Sequence, residues 1–239
     1  MRRFISLVIL VGIFSCQDTK TSKKTTSQEV EKKTQTVGKD TIAVKEKIYP
    51  KGTLQNPMIG SQAELKPFLA QYGKENPETK VRFETRFGNF EVELFKDTPL
   101  HRANFIMLVK NEYFNTTQFH RVSPEFVVQG GNNDTQTTAK NRARMGSYLL
   151  PNEAKSKYRH TRGAFSSAKY TEQNISKASA PFEFFIVQPQ RGAHHLDGEH
   201  TVFGRVTKGM SVVDKINKLE VDGSEWPLEN VYMKVVVLE

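Results

Sequence analysis

Phe119-His120-Arg121-Val122-Ser123-Pro124-Glu125-Phe126-Val127-Val128-Gln129-Gly130-Gly131 is the stretch whose reading decides the fold. Two short runs rich in apolar and β-branched residues, 117–122 and 126–129, flank Ser-Pro-Glu, and a Gly-Gly pair follows the second. Runs of this kind bounded by turn residues read as strands. Working upstream, Val81-Arg82-Phe83-Glu84-Thr85 alternates, and Gly88-Asn89 leads into the alternating Glu91-Val92-Glu93-Leu94-Phe95, a hairpin signal. Downstream, 164–168, 184–187, 202–206 and 231–238 are further strand candidates. Between them stand two helical patterns. Ala103, Phe105, Ile106, Leu108 and Val109 follow Pro99, with Thr98 as N-cap, and a second pattern covers 212–219. Many short strands with two helices predict a mainly β domain, a closed antiparallel barrel. No repeat of 20–50 residues is visible, and the polar stretch 132–140 reads as a functional loop.

The chain has 239 residues, enough for one domain with a real core and marginal for two. One cysteine excludes an internal disulfide framework and any Cys-rich zinc module. The net charge of +9 suggests a nucleic-acid partner until its distribution is read. Residues 1–47 hold 10 Lys/Arg against 5 Asp/Glu, whereas the other 192 residues carry a net charge of only +4. The excess belongs mostly to the N-terminal tail.

That tail opens with Met1-Arg2-Arg3 and a nearly unbroken apolar run, 4–14. Eleven helical residues span about 16 Å, too short for a bilayer core of roughly 30 Å, so the run reads as an export signal. It ends in Ile13-Phe14-Ser15-Cys16, which resembles the lipobox of bacterial lipoproteins, apart from Phe14 where a small residue is usual. The resemblance implies cleavage after residue 15 and acylation of Cys16, palmitate included; Gln17 rather than Asp in the next position favours the outer membrane, facing the periplasm. Residues 16–47, rich in Thr, Ser, Lys and Gln, cannot bury enough apolar area to offset chain entropy and read as a disordered tether. Residues 48–77 form an extension with a short amphipathic helix carrying Ala63, Leu65, Phe68, Leu69 and Tyr72. It has a Ser61–Glu64 capping box, a Gly73 stop and an irregularity at Pro67. The main domain covers 78–239.

The opening stretch is similar to the signature of the cyclophilins, the peptidyl-prolyl cis/trans isomerases. Three more pieces stand in the family's order: Thr98-Pro99 to Asn104-Phe105, Glu183-Phe184-Phe185-Ile186-Val187, and Leu196-Asp197-Gly198-Glu199-His200-Thr201-Val202-Phe203-Gly204. The resemblance implies an eight-stranded antiparallel barrel, closed and capped by two helices, with no cofactor. An X–Pro bond resists rotation by about 18–20 kcal/mol because the amide nitrogen shares its lone pair with the carbonyl. A site that holds the proline ring and donates hydrogen bonds to the twisted, pyramidal nitrogen lowers that barrier without covalent chemistry. A permanently charged guanidinium suits that role. By resemblance Arg121 is this group. Phe126, Val127, Phe185 and Leu196 form the apolar pocket, Gln129 holds the substrate backbone and orients Arg121, and Ala168, His195 and His200 line the rim.

Several positions depart from the family. Glu183 stands where active relatives usually carry Gln, and its carboxylate threatens to draw Arg121 away. Lys169 replaces a frequent Asn, and His195 replaces the Trp that typically contacts cyclosporin. These changes leave two readings: an isomerase whose activity is retained but open to reduction, and a proline-segment-binding chaperone module with weak turnover. His194-His195 beside Asp197 invites a metal reading, but neighbours on a strand point oppositely and no third ligand has recognisable spacing, so no metal is expected. Lys140, Arg142, Arg144, Lys155, Lys157, Arg159 and Arg162, with Tyr148 and Tyr158 interspersed, have only Glu153 opposing them. In an exported protein this run reads as a solvated loop or a contact for acidic clients rather than a nucleic-acid site. The expected partners are proline-containing segments of exported proteins and, through the anchor, the membrane; the chain is expected to be a monomer.

Overall fold

The computed structural model describes residues 49–170 and 175–238. The signal, Cys16 and the tether lie outside the described residues.

Eight strands form one antiparallel sheet among the described residues: β1 Lys80–Thr85, β2 Gly88–Leu94, β3 Gln118–Ser123, β4 Val127–Asn132, β5 Ala164–Ser167, β6 Phe184–Val187, β7 Val202–Lys208 and β8 Lys234–Leu238. Their order is β3-β4-β6-β5-β7-β2-β1-β8. The β1–β2 turn, Arg86-Phe87, lies two residues ahead of the Gly88-Asn89 signal. Thr85 organises it, its hydroxyl accepting from the Phe87 N–H and donating to the Gly88 carbonyl. Unlike the continuous ring expected, the ladder among the described residues runs open from β3 to β8. Residues just before β8 meet β3 instead: the Phe119 N–H donates to the Val231 carbonyl at 2.9 Å, and Gln118 bridges to Tyr232. Strand β8 accordingly begins at Lys234 rather than at 231.

Among the described residues four α-helices accompany the sheet where two were expected on the barrel: α1 Gln62–Glu75, α2 Pro99–Lys110, α3 Gln136–Met145 and α4 Met210–Asn217. Helix α2 is buried almost throughout, from His101 to Val109. Its start is capped from a distance: the Glu153 carboxylate accepts from the Leu100 and His101 N–H groups at 3.1 and 2.9 Å, while Thr98 makes no side-chain cap. A carboxylate there satisfies two orphan donors and complements the helix dipole. Helix α1 continues through Pro67, its sixth residue, which lacks the N–H that would bond to the Ala63 carbonyl. Its capping box is incomplete, because Glu64 reaches Gly60 N rather than Ser61. The Arg102 guanidinium ties its last turn to α2, donating to the carbonyls of Gly73, Asn76 and Glu78.

Helix α3 stands where the sequence reads as a loop. It has no apolar stripe, and only Thr138 and Met145 are buried. Its ends hold it instead: Thr135 accepts from the Thr138 N–H, Thr138 donates to Thr116 O at 2.7 Å, and Gly146 terminates it at φ 114°. A Cβ at Gly146 would sit 2.1 Å from the Ile59 carbonyl oxygen, so only glycine fits. Inside the sheet, Phe83, Phe90, Phe105, Phe114, Phe119, Phe165 and Phe184 form one aromatic core. A second, smaller cluster of Val127, Ala164, Ala168, Phe185, Val187, Ala193 and Val202 is packed on its other side by Phe126 and Leu196.

Candidate active site

The site is built on the β3–β4 hairpin. Phe119 pairs with Gly130 and Arg121 with Gln129, so His120 is an extra residue and the register shifts there. A bulge of this kind re-aims the side chains beyond it. Phe119 and Val122 are therefore both fully buried in the core while Arg121 faces outward. Gln129, directly across from Arg121, pairs on its other flank with Phe185 of β6. Successive strand residues point to opposite faces, so Phe184 enters the core and Phe185 the outer face.

Arg121, Phe126, Val127, Gln129, Ala168, Phe185, Leu196 and His200 line one cleft, joined by Lys169. Its volume is about 170 Å3, several times the roughly 30 Å3 share of one water. Two residues expected in the site do not line it. His195 stacks on Phe126, ring centroids 5.5 Å apart, and Glu183 lies buried behind Gln129. Phe185 forms the floor, with His160 stacked on it at 5.8 Å and 15° and His200 meeting it edge-on at 5.3 Å. Burial pushes both imidazoles below their ordinary range. The Ser167 carbonyl can only accept, so the 3.0 Å contact to His200 Nδ1 places the proton on that nitrogen.

The guanidinium of Arg121 is held at two points. Its Nη1 lies 3.4 Å from Gln129 Oε1, and its Nε donates at 2.6 Å to Glu225, whose other oxygen accepts from Ser123 Oγ at 2.6 Å. Nη2 has no partner among the described residues. Glu225 sits at φ 64°, and the hairpin is tied to it by Val122 N–H donating to its carbonyl. Nothing near Arg121 in sequence announces Glu225; the one signal is the preceding Asp222-Gly223-Ser224, a turn in which Asp222 accepts from Ser224 and Trp226.

Glu183 does not draw Arg121 away. Its oxygens meet Gln129 Nε2 and Arg142 Nη2, each at 3.0 Å, with His120 Nε2 at 3.6 Å. Burial alone would push the Glu183 carboxyl up, but His120 and Arg142 hold it below the usual carboxylate range. Lys169, its side chain 5 % exposed, pairs with Glu199 at 3.5 Å. Asp197 binds His160 through the backbone N–H and Nδ1, and also Arg159 and His194. Among the described residues no group of three or more His, Cys, Asp or Glu is arranged to hold a metal ion.

The basic run is not a free solvated face. Arg142 pairs with Glu183, Lys157 with Asp97, Arg159 with Asp197 and Arg162 with Asp214. Tyr148 is buried, and Tyr158 stacks on Phe95 at 3.9 Å. A larger open groove, about 810 Å3, runs past Arg162, Gln188 and Asp214, but these side chains are bonded to one another. The smaller cleft combines an apolar floor, Phe185 with Val127, and a charged donor, Arg121.

An all-antiparallel β fold presenting a fixed arginine over a ring-sized apolar cleft defines a non-covalent peptide-handling domain. Residues 80–237 match the family described as cyclophilin type peptidyl-prolyl cis-trans isomerase/CLD, and the chain belongs to that family. It is 38% identical over 142 residues to a peptidyl-prolyl cis-trans isomerase of Acinetobacter baylyi, covering 58% of this chain and 71% of that one. Peptidyl-prolyl cis-trans isomerase A of Dickeya dadantii is 36% identical over 167 residues, covering 67% and 82%. A match to peptidyl-prolyl cis-trans isomerase-like 2 of Rhizopus delemar, 36% identical over 167 residues, takes in 69% of this chain but 30% of that longer protein. The crystal structure of a Cryptosporidium parvum cyclophilin type isomerase superposes with a TM-score of 0.57 at 25% identity, covering 68% of this chain and 98% of that one. A second structure of that protein was determined in the presence of the dipeptide Ala-Pro. The chain is thus a peptidyl-prolyl cis-trans isomerase.

Proposed function

We propose that the cleft turns X–Pro bonds in exported proteins, with Arg121 as the catalytic residue, and that the domain works from a lipid anchor at Cys16. The observation that carries the reading is a guanidinium fixed by Glu225 and Gln129 with Nη2 uncommitted, at the mouth of a cleft floored by Phe185. The proline ring is held by Phe126, Val127, Phe185 and Leu196, and the substrate backbone by Gln129. Arg121 donates to the amide nitrogen once twisting has localised its lone pair. Because the donor is already fixed, no reorganisation is needed at the moment of rotation. Ala168, Lys169 and His200 bound the mouth, and His195 backs Phe126.

Support for the anchored envelope form comes from the sequence: a short apolar leader, a lipobox-like Ile-Phe-Ser-Cys, and a polar tether. No helix among the described residues is long and apolar enough to cross a membrane. Uncatalysed prolyl isomerisation takes tens of seconds, so it limits folding of clients that arrive unfolded.

A protease-coupled prolyl-peptide assay on the purified full chain tests the chemistry. Arg121→Ala is expected to lower kcat/KM by about 100-fold or more, the scale of losing one preorganised donor. Arg121→Lys should recover little, lacking the planar fork. An unchanged rate in Arg121→Ala sinks the mechanism. Detergent-phase partitioning of the mature protein, lost in Cys16→Ala, tests the anchor.

A further inference from the structure

Glu183 is a buried acid one residue from the Phe184-Phe185 pair, and its side chain is only 10 % exposed. A carboxylate taken out of water persists only when its charge is paired and its lone pairs are bonded. Both conditions are met here: Arg142 Nη2 reaches Oε1 and Gln129 Nε2 reaches Oε2, each at 3.0 Å, with His120 Nε2 3.6 Å from Oε2.

The ionised form matters because it can only accept. Facing Glu183, Gln129 has to present its NH2 group, so its Oε1 is the end left for Arg121 Nη1, at 3.4 Å. A carboxylate that has lost its cation does not keep this buried place, and a Gln129 amide without its acceptor is free to turn its N–H groups toward the guanidinium.

We propose that Arg142 is a positioning residue for the isomerase reaction: by holding Glu183 as a buried acceptor it sets the Gln129 amide, and through it Arg121. The proposal rests on the reading of Arg121 as the group that acts on the prolyl amide. Arg142 is itself braced, which separates it from a swinging surface arginine. Its Nε donates to Tyr113 OH at 2.9 Å, its Nη2 also reaches Gly131 O at 3.3 Å, and its guanidinium lies over the Phe182 ring at 5.3 Å. Helix α3, held by its capped ends, delivers this side chain behind the site. Without Arg142 the ionised carboxylate has lost its direct counterion and turns toward another cation, which displaces the contact that orients Arg121.

The test is kcat/KM of the full chain in detergent micelles, by the protease-coupled prolyl-peptide assay, with Tm measured alongside. Arg142→Ala is expected to lose about tenfold in kcat/KM, within the range of coupling energies for residues in one network. Adding Glu183→Gln to that variant is expected to restore at least about half of the loss on a logarithmic scale, because a neutral amide needs no counterion. An arginine that merely stabilised α3 would slow the single and double variants alike, since both lack the same contacts to Tyr113, Gly131 and Phe182. Wild-type kcat/KM in Arg142→Ala, or a double variant as slow as the single one, overturns the proposal. Should Arg142→Ala fail to fold, Arg142→Gln with and without Glu183→Gln gives the same comparison while keeping the aliphatic stem on Phe182. Arg121→Ala runs in parallel. If it keeps the wild-type rate, the reading of Arg121 falls and this proposal with it; if it is inactive while Arg142→Ala is unaffected, only this proposal falls.

Discussion

Phe184 and Phe185 are neighbours on one strand, and the difference between their surroundings separates the fold from its function. Phe184 is met by the rings of Phe83, Phe105, Phe114, Phe119 and Phe165 at centroid distances from 4.8 to 6.1 Å. Phe185 is met by two imidazoles, His160 and His200, and by small residues such as Ala168 and Val127. Both are almost fully buried, at 1 % and 4 % exposure. Burial therefore does not distinguish them. What does is whether the surrounding apolar surface is saturated: the inner face closes on itself, whereas the outer face stops short and leaves a cleft of about 170 Å3. The same chemistry of side chain serves stability on one side of the sheet and proline binding on the other.

Substitution at these two positions tests that contrast. Phe184→Ala is expected to cost about 3–5 kcal/mol of stability, because the ring cage around it is too rigid to collapse into the space. Chemical denaturation monitored by tryptophan fluorescence or circular dichroism measures it. Phe185→Ala should cost less stability, as the cleft already admits solvent. It should also lower kcat/KM by about tenfold or more through lost contact with the proline ring. If Phe185→Ala proves the more destabilising of the two, or leaves kcat/KM unchanged, the division of labour between the faces is wrong. Glu225→Gln is a smaller perturbation at the rim: it keeps a hydrogen-bond acceptor for Arg121 Nε but removes the charge. A several-fold fall in kcat, about 1 kcal/mol, with KM nearly constant is the expected result, since the acceptor positions Arg121 without touching substrate.

Much of this contrast can be read from the chain alone, for a definite reason. Alternation and β-branched runs mark strands locally, and each of the eight strands lies where such a pattern stands. The cleft residues from Arg121 to Gln129 come from one hairpin, so a contiguous motif displays them together. What the chain hides arrives from a distance. Glu225 reaches Arg121 across 104 residues and Arg142 reaches Glu183 across 41, and no local pattern encodes either meeting. The basic run reads as unopposed for the same reason, since its partners Asp97, Glu183, Asp197 and Asp214 lie elsewhere in sequence. Helix α3 escaped because hydrophobic periodicity is the usual signal, and a helix held by Thr135, Thr138 and Gly146 rather than by an apolar face has none. Its cap-and-charge pattern, Thr135 at the start and Arg142, Arg144 and Gly146 at the end, was the sign available.

The smallest predicted effect distinguishes the two faces by pH. His160 and His200 back Phe185, and burial holds both below the ordinary imidazole value of about 6.5. Asp197 and Lys169 face them as well: the carboxylate bonded to His160 opposes the shift, and the ammonium near His200 adds to it. As pH falls through about 6.5, imidazoles of the unfolded chain bind protons before their folded counterparts do. Stability contributed by these two groups is therefore complete above that pH and declines as pH falls toward their folded values. The five phenylalanine rings that meet Phe184 carry no titratable group. Carboxylates held low in the fold, Asp197, Glu153 and Glu183 among them, act in the same direction, but their unfolded forms titrate only near pH 4. The interval from pH 7.5 to 5.5 consequently isolates the imidazoles. Thermal unfolding should show Tm falling slightly across it, and the fall should shrink in His160→Gln/His200→Gln. A Tm that rises on acidification, or a slope untouched by the double substitution, would show that the outer aromatic face is no more sensitive to protons than the inner one.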